Sequence, residues 1–301
     1  MYTYLRNALK IYSLGGQIKN MDKVWVIGAN GQLGSAINEL LDIRKVEVLN
    51  TDLEEVDVTE AESVLQFGEM NRPDIIINCV GLTSITECEA NIEKAYKVNA
   101  VGARNVSIVA RRVGAKLIHL STDDVFDGKG QTPYGEFDLP VPGSIYGKSK
   151  LAGEQFVKDF AERYFIIRSN WIYGSGHNFI KNLLELAKQK EVIKVSKDSF
   201  GSPTSAKELA RFVIYLMESS EYGVYHATCE GTCSRYEFAE EIIKLAGLSV
   251  SLEAVHNEED ELTIQRPAYT VLDNLMLRLL GNYQLPHWKE ALADYMKQLK
   301  R

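Results

Sequence analysis

The feature that most constrains this chain is a glycine-spaced turn near its start, Gly28-Ala29-Asn30-Gly31-Gln32-Leu33-Gly34. It follows an apolar run, Val24 to Ile27, and opens a helical pattern, Gln32 to Leu41. Glycines at this spacing let the backbone turn tightly and approach a pyrophosphate, while the helix N-terminus supplies N–H donors and a partial positive charge. Glycines in a turn by themselves signify only a turn. Their place after the first strand of a β-α-β unit makes this one a dinucleotide-phosphate loop, so Gly28, Asn30, Gly31, Gln32, Leu33 and Gly34 are assigned to a cofactor, NADPH or NADH. The second strand ends near Asp52, whose carboxylate suits the adenosine ribose hydroxyls and repels a 2′-phosphate; an exposed loop aspartate is the plain alternative. Asp57 and Val58 are a second candidate for the adenine edge.

The rest of the chain keeps the alternation that such a loop demands. Short apolar runs recur at 46–49, 75–79, 117–120 and 165–167, with helical patterns at 61–70 and 92–113 between them. Continuous apolar strands joined by helices predict a Rossmann-type α/β fold, a doubly wound parallel sheet covered on both faces. Past residue 168 the strand-like runs 192–195 and 224–226 are interrupted by Gly-, Ser- and Pro-rich stretches such as Gly201-Ser-Pro-Thr204, with helical patterns at 207–217, 236–246 and 288–299. This predicts a smaller, discontinuous α/β substrate-binding portion. The boundaries read as an N-terminal extension over 1–20, a dinucleotide-binding domain over 21–168 plus about 192–225, and a substrate-binding domain over about 169–191 plus 226–301.

Composition narrows the function. A net charge of −7 disfavours a nucleic-acid partner, which needs a basic face. No apolar run approaches the ~20 residues that span a bilayer, and the four cysteines include no second pair to complete a zinc site around Cys229 and Cys233. A reducing, cytoplasmic protein without disulfides is expected, monomeric or homodimeric, and without a metal.

Tyr146-Gly-Lys-Ser-Lys150 matches Y-x-x-x-K. With 15 tyrosines and 21 lysines in 301 residues, about one such pair arises by chance, so setting decides. The pair opens a helical pattern after a strand ending Leu120-Ser121-Thr122, and positions i and i+4 share a helix face. Bringing a phenol from ~10 to near neutrality requires ~4 kcal/mol of differential stabilisation, much of which a neighbouring ammonium supplies. Tyr146 thus reads as proton donor to a carbonyl receiving hydride, Lys150 as its tuner and ribose ligand, and Thr122 as the hydroxyl that orients the carbonyl. A surface Tyr–Lys pair is the plain alternative.

Together these stretches resemble the extended short-chain dehydrogenase/reductases and, more narrowly, the dTDP-4-dehydrorhamnose reductase family, from about Lys23 to the C-terminus. Matching stretches include the glycine loop, Ile77-Asn-Cys79, Ser121-Thr-Asp-Asp-Val-Phe-Asp-Gly128 and Tyr146 to Glu154. Further matches are Arg168-Ser-Asn-Trp-Ile-Tyr173, Asn178-Phe179, Gly201-Ser-Pro-Thr204, Arg266-Pro267 and Leu272-Asp273. The resemblance implies a reductase of the 4-keto group of a nucleotide-linked deoxysugar, with Thr122, Tyr146 and Lys150 catalytic. It also implies that Thr83 lies near the active site and Trp171 and Asn178 near the sugar nucleotide, where a core tryptophan and a helix-capping asparagine are the plain readings. Arg266 suits the substrate diphosphate. The chain departs from the family pattern at Asp124, where a Tyr is usual, at Leu82, where an aromatic is missing, at Asn170, where a small residue is common, and at Ala36, where some members carry a magnesium-binding Glu. These departures leave two other expectations open: a reductase of a different 4-keto-deoxysugar nucleotide, or a non-catalytic, NADP-binding regulatory subunit.

Overall fold

The computed structural model describes residues 22–257, 267–281 and 283–300. The expected extension over 1–20 and Arg266, the residue expected to meet the substrate diphosphate, lie outside the described residues.

The first half alternates strand and helix. In chain order it runs β1 (Asp22–Ile27), α1 (Gln32–Leu40), β2 (Val46–Thr51), α2 (Ala61–Asn71), β3 (Ile75–Asn78), α3 (Ile85–Ala90) and α4 (Ile92–Tyr96). A π-helical segment, Lys97–Val101, leads into α5 (Gly102–Val113), followed by β4 (Lys116–Thr122), α6 (Ile145–Phe160) and β5 (Tyr164–Ser169). The second half carries β6 (Ile172–Tyr173), α7 (Phe179–Leu186), β7 (Val192–Ser196), β8 (Phe200–Gly201), β9 (Thr204–Ser205), α8 (Ala206–Glu218) and β10 (Gly223–His226). It ends with β11 (Cys233–Ser234), α9 (Arg235–Ala246), β12 (Ser251–Val255), α10 (Leu275–Leu280) and α11 (Trp288–Leu299).

Six strands form one parallel sheet in the order β10-β5-β4-β3-β1-β2. Both faces are covered, which is why β1, β3 and β5 carry unbroken apolar runs; β2, at the sheet edge, carries a partly exposed Glu47 between Val46 and Val48. Val24 and Val26 pack on one side with α1 and α8, whereas Trp25 and Ile27 pack on the other with α2, α5 and α6. Strand β1 lies between β2 and β3, so the connections leave it in opposite directions. This opens a crevice at the carboxyl ends of β1 and β3, the place where such sheets bind ligands.

A third apolar cluster, centred on Tyr173, Phe238, Ile242 and Trp288, holds the smaller portion together. The allotment of 192–225 to the cofactor-binding domain needs one correction. Helix α8 and β10 lie on the central sheet, but β7 pairs with β12 and buries Ile193 and Val195 in this third cluster, while β8 and β9 pair with β11 and β6 rather than with the sheet. Among the described residues no helix is long and apolar enough to cross a membrane, and no group of three or more His, Cys, Asp or Glu is placed to hold a metal.

Candidate active site

The glycine loop sits at the mouth of the crevice, and each glycine is there for a geometric reason. Gly28 adopts φ +76°, and a Cβ on it would lie 3.1 Å from Val80 Cγ2 and 3.2 Å from the carbonyl carbon of Cys79. At Gly34 a Cβ would come within 2.3 Å of the Gly28 carbonyl oxygen, so only glycine lets α1 pack down on the turn. Gly31 begins α1 without a side-chain cap, which leaves that end open to an anionic group. Asp52 closes the loop from β2, its Oδ2 accepting from Asn30 N at 3.0 Å. Gln32 reaches across to the second half and donates from Nε2 to the His177 carbonyl, 3.2 Å away, while Leu33 is buried in the core. Asp57 is spent on a local turn to Thr59 N, and buried Val58 presents its carbonyl to Asn105 Nδ2 at 2.9 Å.

The catalytic candidates converge on α6. Ser144 caps this helix by accepting from Gly147 N. Tyr146 and Lys150 stand one turn apart, and both are buried. Tyr146 packs with Leu82, Ile85 and Ala95. Lys150 Nζ donates to the Leu120 carbonyl at 2.7 Å, and a Cβ on Gly81 would lie 3.7 Å from it. Burial drives the Lys150 ammonium down to about 8, against the opposing pull of Glu154 and Cys79. Two glycines make this convergence possible. A Cβ on Gly147 would meet the Asp124 carbonyl oxygen at 2.0 Å, and one on Gly153 would meet the Asn99 carbonyl oxygen at 2.3 Å. The start of α6 therefore lies directly against the 123–125 turn, and its middle against the π-helical segment.

Thr122 ends β4 at the same place. Its hydroxyl donates to Asp123 Oδ1 at 3.1 Å and accepts from Asp124 N at 3.2 Å. Asp124 is buried beneath it. Thr83 follows Gly81 and Leu82, whose backbone is clamped on both sides by Asn99: Leu82 N donates to Asn99 Oδ1 at 2.8 Å, and Asn99 Nδ2 donates to the Leu82 carbonyl at 3.0 Å and to Ser149 Oγ at 2.9 Å. Sequence reasoning missed Asn99. It lies in the π-helical segment, a local widening that recurs at functional sites, inside a pattern that reads as one continuous helix.

A charged network beneath α6 was also missed. Glu154, eight residues after Tyr146 and on the same face, accepts from Ser121 Oγ at 2.6 Å and pairs through both oxygens with Arg168 at 2.7 and 2.8 Å. Both partners are buried. His226 beside them is pushed down to about 3 by burial and the Arg168 charge, and is neutral. The available signal was an arginine at the end of an apolar strand, facing a glutamate at helical spacing from the Tyr–Lys pair.

In the second half, Trp171 is one of two described non-glycine residues with positive φ, at +42°. Its ring is stacked by the Arg235 guanidinium, 3.5 Å from the centroid, and Gly201 gives it room. Asn178 caps α7 by accepting from Lys181 N and donates to the Gly174 carbonyl at 2.8 Å and Tyr295 Oη at 3.1 Å. The capping reading of this residue is thus the one the geometry displays.

This glycine crevice facing a Tyr–Lys helix matches a known group. The sequence model described as the RmlD substrate binding domain matches residues 22–301. The chain belongs to the RmlD family of dTDP-4-dehydrorhamnose reductases. A relative, the spore coat polysaccharide biosynthesis protein SpsK of Bacillus subtilis, is 39% identical over 92% of this chain and 98% of its own length. The solved dTDP-4-dehydrorhamnose reductase of Clostridium acetobutylicum superposes with TM-score 0.90 at 42% identity, over 93% of this chain and all of that one. That of Bacillus anthracis, solved in complex with NADP, gives TM-score 0.90 at 40% identity over 92% and 99%.

Proposed function

We propose that this protein reduces the 4-keto group of dTDP-4-dehydro-L-rhamnose to give dTDP-L-rhamnose, using NADPH or NADH, and so supplies a precursor for cell-surface polysaccharide. Family membership supports the substrate class. The observation that supports the chemistry is that Lys150 Nζ meets β4 at the Leu120 carbonyl, two residues before Thr122, while Gly147, next to Tyr146, lies against the 123–125 turn that follows Thr122. The loop fits a dinucleotide: its turn is one that a Cβ at Gly28 or Gly34 would block, and the N-terminus of α1 is open. Gly28 to Gly34 would hold the pyrophosphate, Asp52 the ribose, and Asp57 and Val58 the adenine edge. When bound, the nicotinamide supplies hydride.

The chain's own groups handle the oxygen. Tyr146 donates its phenolic proton to the carbonyl oxygen as that oxygen gains charge. Lys150, cationic below about pH 8, stabilises the developing phenolate and binds the cofactor ribose. Thr122 donates to the same oxygen and fixes the angle of the ketone. The burial of Tyr146 and Lys150 excludes bulk water from the proton donor. Thr83, Trp171 and the segment anchored by Asn178 line the sugar-nucleotide side, where Arg266 would meet the diphosphate.

The test is oxidation of NADPH or NADH by the purified protein with dTDP-4-dehydro-L-rhamnose. Turnover is expected, and Tyr146→Phe should lower it by about 10²–10⁴-fold while cofactor binding persists. No turnover with either cofactor would overturn the reading.

A further inference from the structure

We propose that Asn170 is a positioning residue for this reduction. Acting through Asp123, it sets the Thr122 hydroxyl and ties the substrate-side segments to the catalytic strand end. The inference rests on the reading of Thr122 given above.

Asn170 is fully buried. Its Nδ2 donates to Asp123 Oδ2 at 2.7 Å and to both the carbonyl and the hydroxyl oxygen of Thr270, at 2.7 and 2.9 Å. Its Oδ1 accepts from Ser202 N at 3.3 Å. The amide cannot be turned over, because Oδ1 would then face a carboxylate and a carbonyl with no hydrogen between them. Gly201 boxes it in, since a Cβ there would stand 2.7 Å from Asn170 Oδ1. The 200–202 and 268–270 segments are already paired with each other, through Phe200 N to the Ala268 carbonyl at 2.7 Å and Thr270 N to the Phe200 carbonyl at 3.0 Å. Asn170 is where this paired unit meets Asp123.

Asp123 passes the constraint to the reacting oxygen. A threonine hydroxyl has one hydrogen and two lone pairs. Here the hydrogen goes to Asp123 Oδ1 and one lone pair takes the Asp124 N–H. To orient a ketone, Thr122 must release that hydrogen from Asp123. Donation by Asn170 to the other oxygen of the same carboxylate draws charge away from Oδ1 and weakens its hold. Asn170 therefore governs how readily Thr122 turns to the substrate.

The experiment is a double-mutant cycle on the full-length protein with Asn170→Ala and Thr122→Val, read as kcat, KM for the sugar nucleotide and the primary isotope effect with C4-deuterated cofactor. In the native background, Asn170→Ala should lower kcat by about tenfold or more, raise the isotope effect and leave cofactor affinity unchanged. In the Thr122→Val background its effect on kcat should largely vanish, while an increase in KM persists through the Ser202 and Thr270 contacts. Equal kcat losses in both backgrounds, or no loss in the native one, would overturn the proposal. If Asn170→Ala does not fold, Asn170→Ser, too short to reach Asp123, carries the same comparison. Absence of turnover by the native protein would instead count against the function, and an unaffected Thr122→Val against the role of Thr122.

Discussion

Replacing Gly147 by alanine tests the close approach on which the active site depends. Gly147 is the third residue of α6, where alanine is favoured over glycine by at most the roughly 1 kcal/mol of a helix interior. If nothing stood in the way, the variant would be more stable than the native protein. The structure predicts the opposite. The added Cβ would meet the Asp124 carbonyl oxygen at 2.0 Å and Pro142 Cβ at 2.9 Å. Ordinary contact begins at 3.4 Å, so the 123–125 turn and the start of α6 must part by roughly 1.4 Å. Overpacking of this kind costs about 1–3 kcal/mol, enough to cancel the helical gain and leave a net loss of up to about 2 kcal/mol. The kinetic cost is larger, because the movement separates Thr122 from Tyr146, and a misplacement near 1 Å can cost about 10²-fold in rate. Thermal unfolding, cofactor titration and steady-state turnover should show a lower midpoint, near-native cofactor affinity and a kcat reduced by about two orders of magnitude. A variant more stable than the native protein, with native kcat, would refute the reasoning.

Three further outcomes follow from named interactions. Because burial holds Lys150 at about 8, it loses its proton as pH rises through that value, so kcat/KM for the sugar nucleotide should fall there. Lys150→Arg, which stays charged, should flatten that alkaline limb; a limb unchanged in the variant would assign it elsewhere. Glu154→Gln leaves buried Arg168 without its anionic partner and should cost about 3–5 kcal/mol in denaturant unfolding, and a loss under about 1 kcal/mol would show that the pair is not structural. Asp52→Ala removes the carboxylate that closes the loop on Asn30 N and should shift the kcat/KM ratio from NADH toward NADPH; an unchanged ratio would place cofactor selection elsewhere.

The central sheet was legible because its inner strands β1, β3 and β5 are buried on both faces and carry apolar runs without polar alternation, and the glycine loop because its spacing answers to backbone contacts such as Gly34 on Gly28. The Tyr146–Lys150 pair was legible from helical spacing after a strand end. What could not be read depended on contacts far apart in sequence. Asp123 and Asn170 stand in polar stretches that look like surface turns, and only the fold brings them together across 47 positions. Strand β7 reads like any other apolar run, and nothing local says that its partner is β12 rather than the central sheet. Asn99 was hidden because a π-helical segment keeps the apolar pattern of the helices around it.

The most direct measurement of the proposed chemistry is the fate of deuterium carried at both C4 positions of NADPH or NADH during turnover of dTDP-4-dehydro-L-rhamnose, read by NMR of the isolated sugar nucleotide. One deuterium at C4 of dTDP-L-rhamnose, formed by the native protein and about 10²–10⁴-fold more slowly by Tyr146→Phe, is the predicted result. Unlabelled product, or label at any other carbon, would contradict hydride delivery to the 4-keto group.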